Sequence, residues 1–87
     1  MDENKIYERR LKMIEEGRKM KEYRKLMGIK QKDIAVMLDT LQSNYSKMEN
    51  GLCNPGWRFK KVQEMFYEWR ESEIKRLLAH IEYLKSL

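Results

Sequence analysis

Residues 31–51 read QKDIAVMLDTLQSNYSKMENG, and this stretch decides the fold of the chain. Apolar residues recur at helical spacing in each half, which predicts one short helix over residues 31–38 and a second over residues 41–49. Ala35 has the small side chain that two helices need where they cross at a steep angle. Asp39 stands at the turn, and this residue type tolerates the left-handed conformation better than most, although less well than glycine.

Helical periodicity continues on both sides of this stretch. Residues 3–16 carry an apolar stripe, and Gly17 is expected to interrupt or end that helix before the next one over residues 18–27. Residues 57–87 form the longest helical stretch and hold two apolar runs that are out of register with each other. We predict one continuous helix with two different faces there, with a bend near residues 71–72 as the alternative.

The composition indicates a single all-α domain. The chain has 87 residues, of which 38% are charged and 41% hydrophobic, with one proline. Lys, Glu, Leu and Met are abundant, which suits helices, and no run alternates apolar and polar residues over the length of a strand. A monomer of this size has a small stability margin, which favours extra burial in a dimer.

Several classes of protein are excluded by what the sequence lacks. No apolar run approaches the ~18 residues of a membrane span, and no signal-peptide core follows the N-terminus, so we expect a cytoplasmic protein without membrane contact. Cys53 and His80 are the only residues of their types, which argues against an intramolecular disulfide and a dedicated zinc site. Without a phosphate-binding glycine loop or a Ser, His and Asp set, we expect no cofactor and no enzymatic activity.

The positive charge lies in the middle of the chain. Net charge is +5 overall. Residues 1–16 hold four basic and five acidic side chains, residues 17–61 hold eleven and four, and residues 62–87 hold four and five. A basic block is often only a solvated face. Between two near-neutral ends it favours an electrostatic footprint for a polyanion.

Residues 17–24 (GRKMKEYR), residues 31–51 and Pro55 together resemble the helix-turn-helix domain of phage repressors and Cro proteins, the XRE family. The resemblance covers residues 17–69 and implies a compact bundle of about five helices. It places Arg24 and Glu49 at the positions of a structural salt bridge between the first core helix and the end of the recognition helix.

The resemblance also implies how DNA is contacted. Gln31 and Gln42 stand eleven residues apart, a spacing at which several phage repressors use the first glutamine to brace the second and to touch a phosphate. The N-terminal part of a recognition helix meets base edges, and Gln and Asn suit adenine. Candidate base contacts are Gln42, Ser43, Asn44 and Lys47. Candidate backbone contacts are Gln31, Lys30, Lys32 and Asn50, with Arg58, Lys60 and Lys61 as weaker ones.

Three positions depart from the family pattern. Asp39 stands where the family has a turn glycine. Leu41 stands where a Ser or Thr usually caps the recognition helix, so that either Thr40 caps it one residue early or Leu41 touches a thymine methyl group. Tyr45 replaces an aliphatic core residue, so its hydroxyl needs a partner or the domain edge. The alternative to base contact for residues 42–44 is an ordinary polar helix N-terminus.

We therefore expect a homodimeric, sequence-specific DNA-binding regulator, a repressor in preference to an activator, on a pseudo-palindromic operator in double-stranded DNA. Residues 1–16 would be an N-terminal helical extension, residues 17–69 the DNA-binding domain and residues 70–87 a C-terminal helix extension. The candidate dimerisation residues are Ile74, Leu77, Leu78, Ile81 and Leu84. The alternative is a protein-interaction module on a helix-turn-helix scaffold, such as an antitoxin or anti-activator that binds a regulatory partner protein.

Overall fold

The structure is a computed structural model that describes residues 3–87. It contains four α-helices and, among the described residues, no β-strand: α1 (Glu3–Met27), α2 (Gln31–Met37), α3 (Gln42–Glu49) and α4 (Trp57–Lys85). The all-α class is confirmed. The expected bundle of five helices over residues 17–69 is wrong, because that range holds parts of four helices and no helix lies between Glu49 and Trp57. Residues 3–27 form one uninterrupted helix where two were expected.

Gly17 lies inside α1 and does not break it. A Cβ atom at this position would lie 2.2 Å from the carbonyl oxygen of Met48 and 2.8 Å from that of Glu49. The absence of a side chain lets α1 approach the last turn of α3 at backbone contact distance. Glycine inside a helix costs roughly 0.5–1 kcal/mol relative to alanine, which the packed turns on either side can absorb. The expected interruption is therefore a site of close helix packing.

The core is small and draws on all four helices. Its buried apolar members are Met20, Ile34, Ala35, Leu38, Tyr45, Met48 and Val62. An aromatic layer extends it between the second half of α1 and the first half of α4. There the Tyr23 ring stacks on the Phe66 ring with centroids 4.6 Å apart, and Phe66 stacks on Trp69 at 5.8 Å. These contacts hold α4 against α1.

The turn between α2 and α3 adopts the conformation predicted from Asp39. This residue has φ 53°, and no other non-glycine residue of the described chain has a positive φ. α3 begins at Gln42, and its N-cap residue Leu41 has extended backbone angles and makes no side-chain cap hydrogen bond. The expectation that Thr40 caps the helix one residue early is therefore wrong, because the extended Leu41 separates Thr40 from the helix.

α4 is one continuous helix, as predicted. Its 29 residues span about 43 Å and the 25 residues of α1 about 37 Å, whereas the molecule is 66 Å long. The radius of gyration is 17.0 Å, against about 12 Å for a compact chain of this length. The first half of α1 and the second half of α4 therefore project away from the core on opposite sides. None of the helices described over residues 3–87 has the length and apolarity to span a membrane.

Candidate nucleic-acid interface

α3 has a buried face and an exposed polar face. Tyr45, Met48 and Glu49 are buried against the other helices. The four candidate base-contact residues, together with Asn50 at the C-cap of the helix, are exposed: Gln42, Ser43, Asn44, Lys47 and Asn50. Because three of these side chains lie in the first turn, amide and hydroxyl groups surround the N-terminal end of the helix.

A buried ion pair fixes α3 to α1. Arg24 Nε donates to Glu49 Oε2 at 2.6 Å, and Arg24 Nη2 donates to Glu49 Oε1 at 3.1 Å. The two side chains are 11% and 1% exposed. The third donor, Arg24 Nη1, reaches the carbonyl oxygen of Ile29 at 2.9 Å, in the segment that leads into α2. A bidentate pair of this kind sets the orientation as well as the distance of the two helices.

Gln31, the first residue of α2, completes this buried network. Its Nε2 donates to Glu49 Oε1 at 2.9 Å. The sequence resemblance implied that Gln31 would brace Gln42, but no hydrogen bond joins the two glutamines in the described chain. Gln31 instead ties α2 to the end of α3, so that one carboxylate receives donors from two different helices.

The network determines the ionisation of Glu49. Burial by itself raises the pKa of this carboxyl group, but the hydrogen bonds from Arg24 and Gln31 and the positive charge of Arg24 outweigh burial, and the pKa lies below its ordinary value of 4.5. The pKa of Arg24 is raised, since the hydrogen bond to Glu49 outweighs its own burial. Both groups are therefore charged at neutral pH.

The hydroxyl of Tyr45 lies beside this network. The side chain is fully buried, and within residues 3–87 its oxygen has no partner in good hydrogen-bond geometry. Burial and the neighbouring Glu49 carboxylate raise the pKa of Tyr45 far above its ordinary value of 10.0. The phenol is therefore neutral. Its hydroxyl lies inside the core beside the Glu49 carboxylate and not at the domain edge.

The candidate backbone-contact lysines lie at the start of α2. Lys30 is the N-cap residue and Lys32 the second residue of the helix, and both side chains are exposed. Neither lysine side chain makes a hydrogen bond or ion pair with the residues that the structure describes. Lys47, in the last turn of α3, is exposed in the same way. These cations are open to a partner outside the chain.

Arg58 has a role that the sequence did not indicate. Its Nε donates to the carbonyl oxygen of Leu38 at 2.9 Å, and its Nη2 donates to that of Asp39 at 3.1 Å. The guanidinium also lies over the ring of Trp57, 4.7 Å from its centroid. Arg58 therefore clamps the left-handed turn between α2 and α3 from the start of α4. Its partners stand about twenty residues away in sequence, so no local pattern points to the contact.

Arg10 makes a comparable clamp at the other end of α3. Its Nη1 donates to the carbonyl oxygen of Gly51 at 3.1 Å, just after the helix ends. Arg58, which the sequence analysis offered as a weaker backbone contact, and Arg10 thus bind carbonyl oxygens of their own chain. The candidate interface therefore has one free cation fewer than the sequence predicted.

The five candidate dimerisation residues lie on the projecting half of α4 and are all exposed: Ile74, Leu77, Leu78, Ile81 and Leu84. Among the described residues, no group of three or more His, Cys, Asp or Glu side chains is arranged to hold a metal ion.

Comparison of the chain with protein-family models, with curated proteins and with solved structures finds no match in any of the three.

Proposed function

We propose that this protein is a sequence-specific DNA-binding transcriptional regulator, most simply a repressor, that inserts α3 into the major groove as a homodimer on a pseudo-palindromic site. One observation carries the proposal. α3 exposes a face made of amide, hydroxyl and ammonium groups, while its opposite face is held in place by a buried bidentate ion pair. A polar helix surface on a rigid support is what base-edge recognition requires.

The exposed groups match the chemistry of base edges. Gln42 and Asn44 each carry an amide that can give one hydrogen bond and accept one, which is the pattern adenine presents in the major groove. Lys47, one turn further along, suits the acceptors of guanine or a phosphate oxygen. The N-terminal turn of such a helix meets the bases first, and Gln42 and Asn44 lie in it.

The charge distribution supports the same partner. Residues 17–61 carry a net +7, whereas the segments on each side carry −1. Neutralising phosphates with these cations releases counterions, so binding is expected to weaken steeply as salt is raised. The pairing of Arg24 with Glu49 also accords with the resemblance to the XRE helix-turn-helix family. That family includes phage repressors and antitoxins that repress their own genes.

The decisive experiment is the selection of bound sites from random double-stranded DNA, followed by affinity measurements with variants. The proposal expects a two-fold symmetric consensus with half-sites about one helical turn apart. Gln42→Ala should weaken binding to the selected site by about 10- to 100-fold and leave binding to random DNA nearly unchanged.

Lysine variants separate base reading from charge. Lys32→Ala should weaken binding to all sequences alike and reduce the salt dependence. Lys75→Ala, at another exposed lysine on the projecting half of α4, should change little. Equal losses for Gln42→Ala on selected and random DNA would exclude the base-reading role.

A second candidate is a protein-interaction module on the same scaffold, because both projecting helix halves expose apolar side chains. This function predicts a stable complex with a different protein and no retarded DNA fragment even at low salt. The site selection distinguishes the two candidates in one step, since a module of this kind would enrich no sequence.

A further inference from the structure

Each projecting helix half carries an apolar stripe whose side chains stay about half-exposed, and at the inner end of the α1 stripe Ile14 packs against Gly51. The α1 stripe consists of Ile6, Tyr7, Leu11 and Ile14, whose exposed fractions run from 45% to 69%. The α4 stripe consists of Ile74, Leu77, Leu78, Ile81 and Leu84, with exposed fractions from 46% to 58%. Their lengths are similar, since eight and ten residue steps of helix span about 12 and 15 Å.

The two stripes cannot cover each other within one molecule. Tyr23 of α1 stacks on Phe66 of α4, so an antiparallel arrangement of the two helices would bring the α1 stripe alongside the α4 stripe and bury both. Both are exposed, and the 66 Å length of the molecule exceeds that of either helix. The stripes therefore lie at opposite ends of the molecule and need a partner from outside.

We propose that the two stripes are the two halves of one homodimer interface, in which the α1 stripe of one copy packs on the α4 stripe of the other, and reciprocally. The inference rests on the homodimer of the proposed function and deepens it by adding the α1 stripe to the interface. Two-fold symmetry makes this pairing self-consistent, because one rotation creates both contacts at once.

The area of the stripes favours this pairing over contact between the two α4 stripes alone. Five half-exposed aliphatic side chains offer roughly 400–500 Å² per copy, so a dimer of α4 stripes would bury about 900 Å², below the ~1,200 Å² at which specific interfaces begin. Adding the α1 stripe brings the total to about 1,700 Å², the size of an ordinary stable interface. The α4 pairing would also leave the α1 stripe in water on both copies.

Cysteine crosslinking tests the arrangement directly. In a Cys53→Ser background, which removes the native thiol, Leu11→Cys and Leu78→Cys lie near the centres of the two stripes. When the two variants are mixed, allowed to exchange subunits and oxidised, we expect a disulfide-linked heterodimer. Each variant alone should stay uncrosslinked, because its cysteine faces a native leucine on the partner. Crosslinking of Leu78→Cys with itself, at the rate of the mixture, would overturn the proposal in favour of paired α4 stripes.

Sedimentation equilibrium supplies an independent readout with a matched control. Leu11 and Leu26 both lie on α1 and are 63% and 60% exposed, but Leu26 is outside the stripe. Leu11→Ser and Leu78→Ser should each raise the dimer Kd about tenfold or more, because symmetry removes the contact twice, whereas Leu26→Ser should leave it unchanged. If Leu11→Ser behaves like Leu26→Ser, the proposal fails whatever the crosslinking shows.

Failure of the inference and failure of the proposed function give different results. A dimer that enriches no DNA sequence but dissociates in Leu11→Ser would exclude the regulator and keep the interface. A protein that selects a symmetric DNA site but whose dimer is indifferent to Leu11→Ser would keep the regulator and exclude this interface. A wild-type protein that stays monomeric at high concentration and on its selected DNA would exclude the interface and the homodimer together.

Discussion

The middle of the molecule and its two ends differ in how far their helices are buried. Between Gly17 and Phe66 every helix buries a face, and one carboxylate joins three helices through hydrogen bonds. Over residues 3–14 and 74–85 the chain is equally helical, yet its apolar side chains face solvent. The same secondary structure is thus supported by a packed core in the middle. At the ends it rests on chain continuity, with the hydrogen bond from Arg10 to Gly51 as a tertiary contact on the α1 side.

This difference shows what a helix needs in order to persist. An isolated helix of 12–15 residues is marginal in water, so neither end would hold its conformation if it were cut from the packed part of its helix. The middle, in contrast, contains α2 with seven residues and α3 with eight, which are too short to form alone and exist because the core and the buried ion pair hold them. Substitutions in each region test this contrast.

The largest effect is expected when the buried ion pair is broken. Glu49→Gln leaves the Arg24 charge buried without a counter-charge and should lower the free energy of unfolding by about 3–5 kcal/mol in urea titrations. The control is Glu22→Gln, which removes the exposed pair of Glu22 with Arg18, where both side chains are about 60% exposed. That pair should contribute at most about 1 kcal/mol. Similar losses of unfolding free energy in both variants would mean that the Arg24–Glu49 pair does not stabilise the packed middle of the molecule.

Acid should lower the free energy of unfolding through the same ion pair. The folded-state pKa of Glu49 lies below its ordinary value of 4.5, so its ionisation contributes stability in full above about pH 4.5. That contribution should be lost as the pH falls through the lowered folded-state pKa. Unfolding titrations should therefore show a steeper loss between pH 4.5 and more acidic values in the wild type than in Glu49→Gln. Parallel pH profiles would contradict the lowered pKa.

A smaller loss is expected at the closest helix contact. Gly17→Ala places a methyl group against the carbonyl oxygens of Met48 and Glu49 and should lower the unfolding free energy by about 1–3 kcal/mol. Helix propensity alone predicts the opposite sign, a gain of about 1 kcal/mol. The control, Lys21→Ala on the exposed side of α1, should stay within about 0.5 kcal/mol of the wild type. A stabilised Gly17→Ala variant would show that α1 and α3 lie further apart.

The smallest effect is expected at a leucine of the projecting ends. Leu38 is fully buried and Leu78 is 58% exposed. Leu38→Ala should lower the unfolding free energy by about 2–5 kcal/mol, whereas Leu78→Ala should change it by less than about 0.5 kcal/mol when the protein is too dilute to dimerise. Thermal unfolding at low and high concentration separates the fold from the dimer, and a large loss in dilute Leu78→Ala would remove the contrast between the two regions.

Much of this architecture could be predicted from local pattern. The helical period located α2 and α3 to within one residue and predicted α4 as one helix, because burying one face of a helix requires apolar residues at that spacing. Asp39 marked the left-handed turn because few other residue types tolerate that conformation. The exposed polar face of α3 followed from the same period.

Other features could not be predicted, since they depend on residues distant in sequence. Local helix propensity predicts a break at Gly17, because it takes no account of the packing of this residue against the end of α3, 31 residues away. Arg58 looked like a phosphate contact because a charge pattern does not distinguish a cation facing solvent from one that binds two carbonyl oxygens of its own chain. The resemblance implies that Gln31 braces Gln42, whereas the Gln31 side-chain amide donates its hydrogen bond to Glu49.

The sequence by itself therefore determined which segments are helical, where the central turn lies and which side of α3 is polar, because hydrogen bonds within a helix and side-chain periodicity are local. Only the tertiary structure decided that α1 is unbroken, that α3 is clamped at both ends by Arg10 and Arg58, and that two apolar stripes lie uncovered at opposite ends. Those outcomes depend on which distant groups meet, and burial and desolvation act only once the helices have come together.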